Sequence, residues 1–433
     1  MAAKKAVKAE RKPDTKWFQH DRFGMFIHWG LYALAARHEW MKHRERVDNA
    51  TYQKYFKHFD PDLYDPREWA RLAKQAGMKY FVITTKHHEG FTLWDSKYTN
   101  YKATNTPCGK DLLKPMVEAF REEGLRVGFY HSLIDWHHAK YGIDRVHPLR
   151  DDKAARKADR PNIKEYAEYL HNQTRELLTE FGSIDLLWYD FSYPGKDGKG
   201  HRDWQSRKLV NMIHKLQPDI LLNNRLDLPD APDFVTPEQY QPYATPTDDK
   251  GRPLVWEACQ TLSGSWGYYR DEHTWKSVPQ LLGMLIDGVS KGGNLLLNVG
   301  PTGRGEIDYR AREALEGMGT WMRYNGRSIY GCGAAPKSMV TPPDCRLTYN
   351  KKLKRLYVHV LAWPFRDVHL PKLAGKVEYA QLLHDASEVQ YSEATSDMPH
   401  GHMQGQVPPG TLTLRLPIVK PKIEIPVIEL FLK

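Results

Sequence analysis

The sequence predicts an α/β protein with a (β/α)₈-like barrel over residues 17–330 and a C-terminal β-sandwich over residues 335–433. Two observations support the barrel. Apolar runs of strand length alternate with amphipathic helical segments, and about eight such runs occur, which is the number that this barrel needs. One observation supports the sandwich: beyond about residue 330 the long helical pattern stops, and short β-rich segments punctuated by Pro and Gly follow.

The strand and helix candidates alternate in chain order. Asp65 can cap a helix that starts at Pro66, with Glu68 completing a capping-box pattern and Gly77 as its stop. The strand candidates lie at residues 23–27, 80–85, 126–130, 184–190, 220–223, 233–235, 254–256 and 294–301. Further helices are predicted at about residues 112–123, 163–181, 204–216 and 277–290, with a last one that ends near residue 325. An open doubly wound sheet is the alternative, but no glycine-rich dinucleotide fingerprint follows the first strand.

Charge and hydropathy narrow the classes of partner. The net charge is +10, but the basic N-terminal tail, residues 1–16, holds six basic and two acidic residues and alone contributes 6 − 2 = +4. The other basic residues, which give the rest of the chain its positive charge, form no basic run or recognition motif, so no nucleic-acid partner is predicted. Because no stretch has transmembrane length or the apolar core of a secretory signal, we expect no membrane partner and a cytoplasmic location. A chain whose signal had been removed would instead be secreted or periplasmic, and the sequence leaves the oligomeric state open.

Polar and aromatic residues follow three of the predicted strands. His28 and Trp29 follow the first, KHHEGFTLW (residues 86–94) follows the second, and His131 and Ser132 follow the third. Since the carboxyl ends of barrel strands carry the chemistry, these residues are candidates for an active site.

A metal centre is the first alternative for so many histidines. The segment HEWMKH (residues 38–43) has one residue too many for the H-E-x-x-H zinc motif, and no H-x-H pair follows the first strand. The four cysteines form no C-x-x-C pair. No metal is predicted, and histidines that bind sugar hydroxyls account for the same residues.

Two carboxylates follow later apolar runs. Asp190 ends the run LLWYD (residues 186–190), and Glu238 follows the run at 233–235, a spacing of 238 − 190 = 48 residues. Two carboxylates that face each other across a pocket are what glycoside hydrolysis requires. Other candidates are Glu39, Glu89, Asp135 and Glu257. Spacing alone does not choose between Glu238 and Glu257.

Nine ordered motifs together resemble the α-L-fucosidases of glycoside hydrolase family 29, from about residue 17 to about residue 330. These motifs are FGMFIHWG, HEW, KHHEGFTLWDSKYTNY, GFYHSLIDWHH, LLWYD, NNR, TPEQY, WEACQTLSGSWGY and SKGGNLLLNVGPTGRGEI. The resemblance implies a retaining exo-glycosidase that acts on a fucosylated oligosaccharide or glycoconjugate, with a barrel, a C-terminal β-sandwich and no metal or organic cofactor.

The resemblance also implies roles for individual residues. Asp190 matches the catalytic nucleophile and Glu238 in TPEQY matches the general acid/base, which leaves Glu257 in a supporting role. The substrate-binding residues that the resemblance implies are His28, Glu39, Trp40, His87, His88, Arg225 and Trp266.

Two positions depart from the family pattern. His131 stands where Tyr is common in the family, and we expect it to lie at the mouth of the site and to alter sugar or leaving-group preference. Arg327 stands where an acidic residue is usual. The TPEQY and WEACQTLSGSWGY segments resemble the branch that is selective for α-1,3/1,4-linked fucose. The alternatives are a related glycosidase that acts on L-galactosides and a fucose-binding protein that has lost catalysis.

Overall fold

A computed structural model describes residues 13–394 and 407–433. Most of the basic tail predicted at residues 1–16 lies outside this part of the chain. The catalytic half of the described chain is built on a curled sheet of parallel strands in the order β5-β4-β3-β2-β1-β7-β6. These strands are β1 (Phe23–Ile27), β2 (Tyr80–Lys86), β3 (Arg126–Ser132), β4 (Leu186–Asp190), β5 (Leu221–Leu222), β6 (Glu257–Thr261) and β7 (Asn294–Val299).

Helices alternate with these strands and cover the outside of the sheet. Asp65 caps the helix that precedes β2, Pro66–Gln75, by accepting hydrogen bonds from the backbone amides of Arg67 and Glu68. Gly77 follows this helix with a φ of +89°. The described helices are α1 (Lys16–Asp21), α2 (Tyr32–Ala35), α3 (Met41–Arg44), α4 (Asn49–Lys57), α5 (Pro66–Gln75), α6 (Leu113–Glu122), α7 (Lys153–Ala158), α8 (Ile163–Glu180), α9 (Ser206–Leu216), α10 (Val278–Ser290) and α11 (Tyr309–Asn325). Within the two described ranges, no helix has the length and apolar character needed to cross a membrane.

An irregular extended segment joins the two edge strands, β5 and β6. Asn223 pairs with Phe234 on one side, and Val235 pairs with Trp256 on the other. The segment then runs alongside β6, where Glu238 pairs with Cys259. This segment is the predicted strand at 233–235, and the barrel-like fold predicted from the sequence is confirmed.

The seventh predicted strand is displaced along the chain. The run predicted at 254–256 leads into the strand, but β6 itself spans Glu257–Thr261. Glu257 is therefore the first residue of its strand rather than the residue that follows it. In a parallel barrel this moves its side chain from the carboxyl end to the opposite end.

Alternation along each strand divides the buried side chains into two cores. Phe26, Tyr130 and Trp188 belong to the core inside the barrel, whereas Ile27 and Phe129 pack outward against the helices. Strand side chains alternate in this way because successive Cβ atoms point to opposite faces of the sheet.

The C-terminal part of the described chain is all β, as predicted. It contains one sheet in the order β12-β15-β10-β9-β8 and a second in the order β11-β14-β13, with an apolar core of its own. The strands are β8 (Gly333–Ala334), β9 (Cys345–Asn350), β10 (Arg355–Val360), β11 (Asp367–Leu370), β12 (Val377–Leu382), β13 (Tyr391–Glu393), β14 (Leu412–Arg415) and β15 (Val427–Leu432). Arg327 follows α11 and pairs with Glu429 of β15, so it joins the barrel to this domain.

Candidate active site

A pocket opens at the carboxyl ends of the barrel strands. Its empty volume, which includes the space open to solvent at its mouth, is about 420 Å³. Its walls combine two carboxylates, one arginine, three histidines and several large aromatic rings. The lining residues are Phe26, His28, Trp40, His87, His88, Tyr130, Trp188, Asp190, Phe191, Arg225, Glu238, Cys259 and Trp266.

Asp190, at the end of β4, is held from two sides. The Tyr130 hydroxyl donates to its Oδ2 at 2.9 Å, and Nη1 of Arg225 donates to its Oδ1 at 3.0 Å. Burial raises the pKa of Asp190 to about 6, although the positive charge of Arg225 acts in the opposite direction. At neutral pH the carboxylate is therefore ionised and its two oxygens are fixed in orientation.

Arg225 also contacts the second carboxylate. Its Nη2 donates to Oε2 of Glu238 at 2.8 Å, its Nε donates to Oγ1 of Thr236 at 2.9 Å, and its guanidinium lies 4.9 Å from the ring centroid of Trp188. One planar guanidinium thus bridges Asp190 and Glu238, which brings two carboxylates 48 residues apart in the chain to the same pocket. The extended segment beside β6 carries Glu238 to this position.

His28, just beyond β1, is neutral and has a defined tautomer. Nδ2 of Asn298 donates to the carbonyl of Trp266 at 2.6 Å, so Oδ1 of Asn298 faces Nδ1 of His28, also at 2.6 Å, and accepts a hydrogen bond from its N–H. Burial lowers the pKa of His28 to about 3. Its Nε2 is consequently an acceptor.

His88 has the same property, and it lies beside Asp190. The Ser132 hydroxyl donates to the carbonyl of Ile134 at 2.8 Å, so its oxygen accepts from Nδ1 of His88 at 2.7 Å. Nε2 of His88 is then an acceptor and lies 3.9 Å from Oδ2 of Asp190. Burial lowers the pKa values of both His87 and His88 well below the usual range. Neutral imidazoles of this kind accept hydrogen bonds from ligand hydroxyl groups.

Aromatic rings form the apolar walls. Trp40 lies 5.0 Å from the His88 ring and 5.1 Å from the Phe191 ring, and Trp266 lies 5.1 Å from the His28 ring, all between centroids. Phe191 directly follows Asp190 and has a φ of 73°, a left-handed conformation that is unusual for a bulky residue. Acceptors beside aromatic faces suit a sugar, which has hydroxyl groups on some faces and C–H groups on others.

Comparisons with known proteins identify the family. The sequence profile of a family described as Alpha-L-fucosidase matches residues 2–327. The chain belongs to this family. Rat plasma alpha-L-fucosidase is 30% identical over 411 residues, an alignment that covers 88% of this chain and 83% of that protein.

Solved structures of the family have the same fold. Alpha-L-fucosidase isoenzyme 1 from Paenibacillus thiaminolyticus has a TM-score of 0.89 and 45% identity, covering 97% of this chain and 98% of that one. A GH29 alpha-L-fucosidase from Bacteroides thetaiotaomicron has a TM-score of 0.83 and 27% identity, covering 99% and 98%. That structure holds a trapped covalent intermediate in complex with 2-fluoro-fucosyl fluoride, obtained with a glutamate-to-glutamine mutant. The chain is thus a member of a family of retaining glycoside hydrolases.

Eight of the site residues that the sequence predicted line the fucosidase pocket. They are His28, Trp40, His87, His88, Asp190, Arg225, Glu238 and Trp266. Their individual roles remain predictions.

Three predicted site residues lie elsewhere. Glu39 is buried behind the wall, where its Oε2 accepts from the amide of Gly267 at 2.7 Å, so it supports the loop that carries Trp266. His131 was expected at the mouth, but it points out of the barrel, with Nδ1 3.0 Å from Oγ1 of Thr85 and its ring 5.9 Å from that of Trp94. The reason is alternation on β3, which turns Tyr130 inward and the next residue outward.

Glu257 is the third residue outside the pocket. It lies inside the barrel at the start of β6, and the Tyr80 hydroxyl donates to its Oε2. Burial raises its pKa to about 8, so at neutral pH it is a neutral acid. No group of three or more His, Cys, Asp or Glu side chains suited to hold a metal occurs in the described parts of the chain.

Five pocket residues were missed by the sequence analysis. They are Phe26, Tyr130, Trp188, Phe191 and Cys259. The sequence held an indication for two of them. Tyr130 shares its face of β3 with Ser132 at the carboxyl end, and Trp188 shares the face of β4 that carries Asp190. The signal for Phe191 and Cys259 was absent, because a loop residue has no period and a buried Cys resembles any core residue.

Proposed function

We propose that this protein is a retaining, exo-acting α-L-fucosidase in which Asp190 is the nucleophile and Glu238 is the general acid/base. The observation that carries this proposal is the Arg225 guanidinium bonded to both carboxylates in one pocket. A small pocket at the strand ends suits a terminal sugar, which is what exo action requires.

In the first step, Asp190 attacks the anomeric carbon. The bond from that carbon to the glycosidic oxygen breaks, a carboxylate oxygen of Asp190 forms an ester with the carbon, and the proton of Glu238 moves to the leaving oxygen. Tyr130 and Arg225 support this step because their hydrogen bonds fix the carboxylate before attack.

In the second step, water replaces the enzyme at the same carbon. Glu238, now deprotonated, takes a proton from the water, whose oxygen attacks the anomeric carbon as the ester bond to Asp190 breaks. Two inversions at one carbon restore the α configuration. Asp190 is again ionised and Glu238 is again protonated.

Sugar recognition follows from the walls of the pocket. The acceptor nitrogens of His28 and His88 suit hydroxyl groups that donate to them, whereas Trp40, Phe191 and Trp266 offer apolar surface to C–H groups and to a methyl group. We further propose selectivity for α-1,3/1,4-linked fucose in branched glycans, which rests on the likeness of the TPEQY and WEACQTLSGSWGY segments to that branch.

The test is release of aryl alcohol from an aryl α-L-fucoside, with NMR detection of the anomer that forms first. We expect α-L-fucose first, and β-L-fucose first would exclude retention. A trisaccharide with α-1,3-linked fucose and a disaccharide with α-1,2-linked fucose, compared in the same assay, test linkage selectivity.

The role of Glu238 is tested by Glu238→Gln with two leaving groups. Because general acid catalysis contributes about 10²–10⁴-fold, the variant should lose that factor on an alkyl or sugar leaving group and much less on a dinitrophenyl fucoside. Equal losses on both substrates would exclude Glu238 as the acid.

The two alternatives give different outcomes. An L-galactosidase would hydrolyse the aryl L-galactoside at least as fast as the aryl fucoside. A fucosidase would hydrolyse it more slowly, by no more than about a hundredfold, because an apolar pocket rejects an added hydroxyl only to that extent. A binding protein would show fucose binding in calorimetry without turnover of any fucoside.

A further inference from the structure

A charged residue lies on each side of the two pocket histidines that follow β2: Lys86 is the last residue of β2, and Glu89 is in the loop after it. His87 and His88 face the pocket, whereas the flanking Lys86 and Glu89 turn away from it and are each only 1% exposed. A buried charge is costly unless other groups compensate it. The groups that surround Glu89 show what this arrangement holds together.

Glu89 is bonded to two other segments of the chain. Its Oε1 accepts from the amide of Leu31 at 3.2 Å, and the Tyr52 hydroxyl of α4 donates to its Oε2. Lys42, also buried, packs on the same tyrosine: its Nζ lies 4.7 Å from the ring centroid of Tyr52 and donates to Asn49 at 2.7 Å. Burial raises the pKa of Glu89 to about 7, and the charge of Lys42 acts in the opposite direction.

Apart from Asn49 and Tyr52 of α4, these residues belong to the three segments that supply one wall of the pocket. Leu31 follows His28 by three residues, Lys42 follows Trp40 by two, and Glu89 itself follows His88. Gly30 allows the close approach, because a Cβ there would lie 2.5 Å from Oε1 of Glu89. One buried carboxylate therefore connects the loops after β1 and β2 with α4, and Lys42 of α3 packs on the same tyrosine of α4.

A second buried pair holds the other side of the same loop. Nζ of Lys86 lies 3.4 Å from Oδ2 of Asp135, and both side chains are at most 2% exposed. The segment of Asp135 is bonded back to the loop, since the amide of Trp136 donates to the carbonyl of His88 at 2.8 Å. The loop is thus fixed on both sides of the histidine pair, with Glu89 as the connection to the other pocket segments.

We propose that Glu89 is a positioning residue, which sets the spacing of His28, Trp40 and His88 and thereby the affinity for the bound sugar. This inference rests on the proposed function, because that function makes these three residues sugar contacts. Glu89 itself is not among the residues that line the pocket, so it would act through those that do.

The experiment compares Glu89→Gln with Glu429→Gln. Gln keeps the shape of Glu89 but removes its negative charge and replaces one of its two accepting oxygens with an NH₂ group, so we expect KM for an aryl α-L-fucoside and Ki for L-fucose to rise about tenfold. Glu429 is the matched control: it is 2% exposed, accepts from the Tyr357 hydroxyl at 3.1 Å and lies in the C-terminal domain. Its variant should keep the wild-type KM and Ki whatever happens to its stability.

The split between KM and kcat separates positioning from general destabilisation. A loss of folded protein lowers the maximal rate and leaves KM and Ki unchanged, so that result in Glu89→Gln would overturn the proposal. If Glu89→Gln does not fold, Tyr52→Phe removes only the donor to Oε2, and a Ki equal to that of the wild type would overturn it equally. A wild-type protein that neither binds fucose nor cleaves a fucoside would instead refute the proposed function.

Discussion

The two ends of the barrel each hold a buried carboxyl group that accepts a hydrogen bond from a tyrosine. Asp190 lies at the carboxyl end with Tyr130, and Glu257 lies at the opposite end with Tyr80. Burial raises both pKa values, to about 6 for Asp190 and to about 8 for Glu257. At neutral pH the first is ionised and the second is a neutral acid.

Two differences in surroundings produce this contrast. Arg225 pairs with Asp190, whereas none of the cationic side chains in the described chain pairs with Glu257. The side chain of Asp190 is 15% exposed to the pocket, whereas Glu257 is completely buried. A buried carboxyl group becomes suited to nucleophilic attack when a cation keeps it ionised and an opening lets the substrate reach it, and burial alone gives neither.

The largest effect should come from removing the carboxylate at the open end. Asp190→Ala is expected to lower kcat on an aryl α-L-fucoside by at least about 10³-fold, because the variant has no nucleophile. Azide should restore part of the rate by taking the place of the carboxylate. Asp185→Ala is the matched control, since Asp185 precedes the same strand at its other end and binds Arg126 there. Turnover near the wild-type rate in Asp190→Ala would show that the carboxylate at the open end of the barrel is not the nucleophile.

Removing the cation tests the first difference directly. Wild-type kcat/KM should fall as the pH drops below about 6, where Asp190 becomes protonated. In Arg225→Gln the pKa of Asp190 should rise, so this acidic limb should move up by about one pH unit and kcat/KM should fall about 10²-fold. The measurement is the pH profile of kcat/KM for both proteins, and an acidic limb that stays in place or moves down contradicts the role of Arg225.

Replacing Glu257, the fully buried neutral acid, should affect the stability of the protein rather than its activity. Because the folded state holds the proton of Glu257 up to about pH 8 and the unfolded state releases it near 4.5, the wild type loses stability as pH rises through that interval. Relative to wild type, Glu257→Gln should gain about 1.4 kcal/mol per pH unit across it, with kcat/KM changed by less than about threefold. Urea unfolding at pH 6 and pH 8 checks this. A relative stability that does not change with pH would show that Glu257 is ionised in the fold.

The smallest effect should come from the outward neighbour of Tyr130. His131→Asn keeps a partner for Thr85, and the ratio of kcat/KM for L-fucoside over L-galactoside should stay within about twofold of wild type. Tyr130→Phe is the inward counterpart and should lower kcat, because Asp190 loses a donor. The ratio of the two kcat/KM values does not depend on the fraction of folded protein. A changed ratio in His131→Asn would therefore show that this residue contacts the sugar.

The sequence by itself determined which residues form the barrel strands and which polar groups follow them. Apolar runs, helix caps and glycine stops are local, so β1 to β4 and the helices α5, α6 and α8 could be predicted from neighbouring residues alone. The same locality supplied Asp190, His28 and the histidine pair as candidates, because each follows a buried run. Family motifs added the choice of Glu238 over Glu257.

Only the tertiary structure decided how these residues meet. A shift of strand β6 by a few residues moved Glu257 from one end of the barrel to the other, and the period of two does not by itself tell which face of β3 is inside. The bridge from Arg225 to both carboxylates and the links of Glu89 to Leu31 and Tyr52 join residues far apart in the chain. Burial and charge at such positions depend on distances in three dimensions, which is why the ionised carboxylate and the neutral acid could be told apart only in the folded molecule.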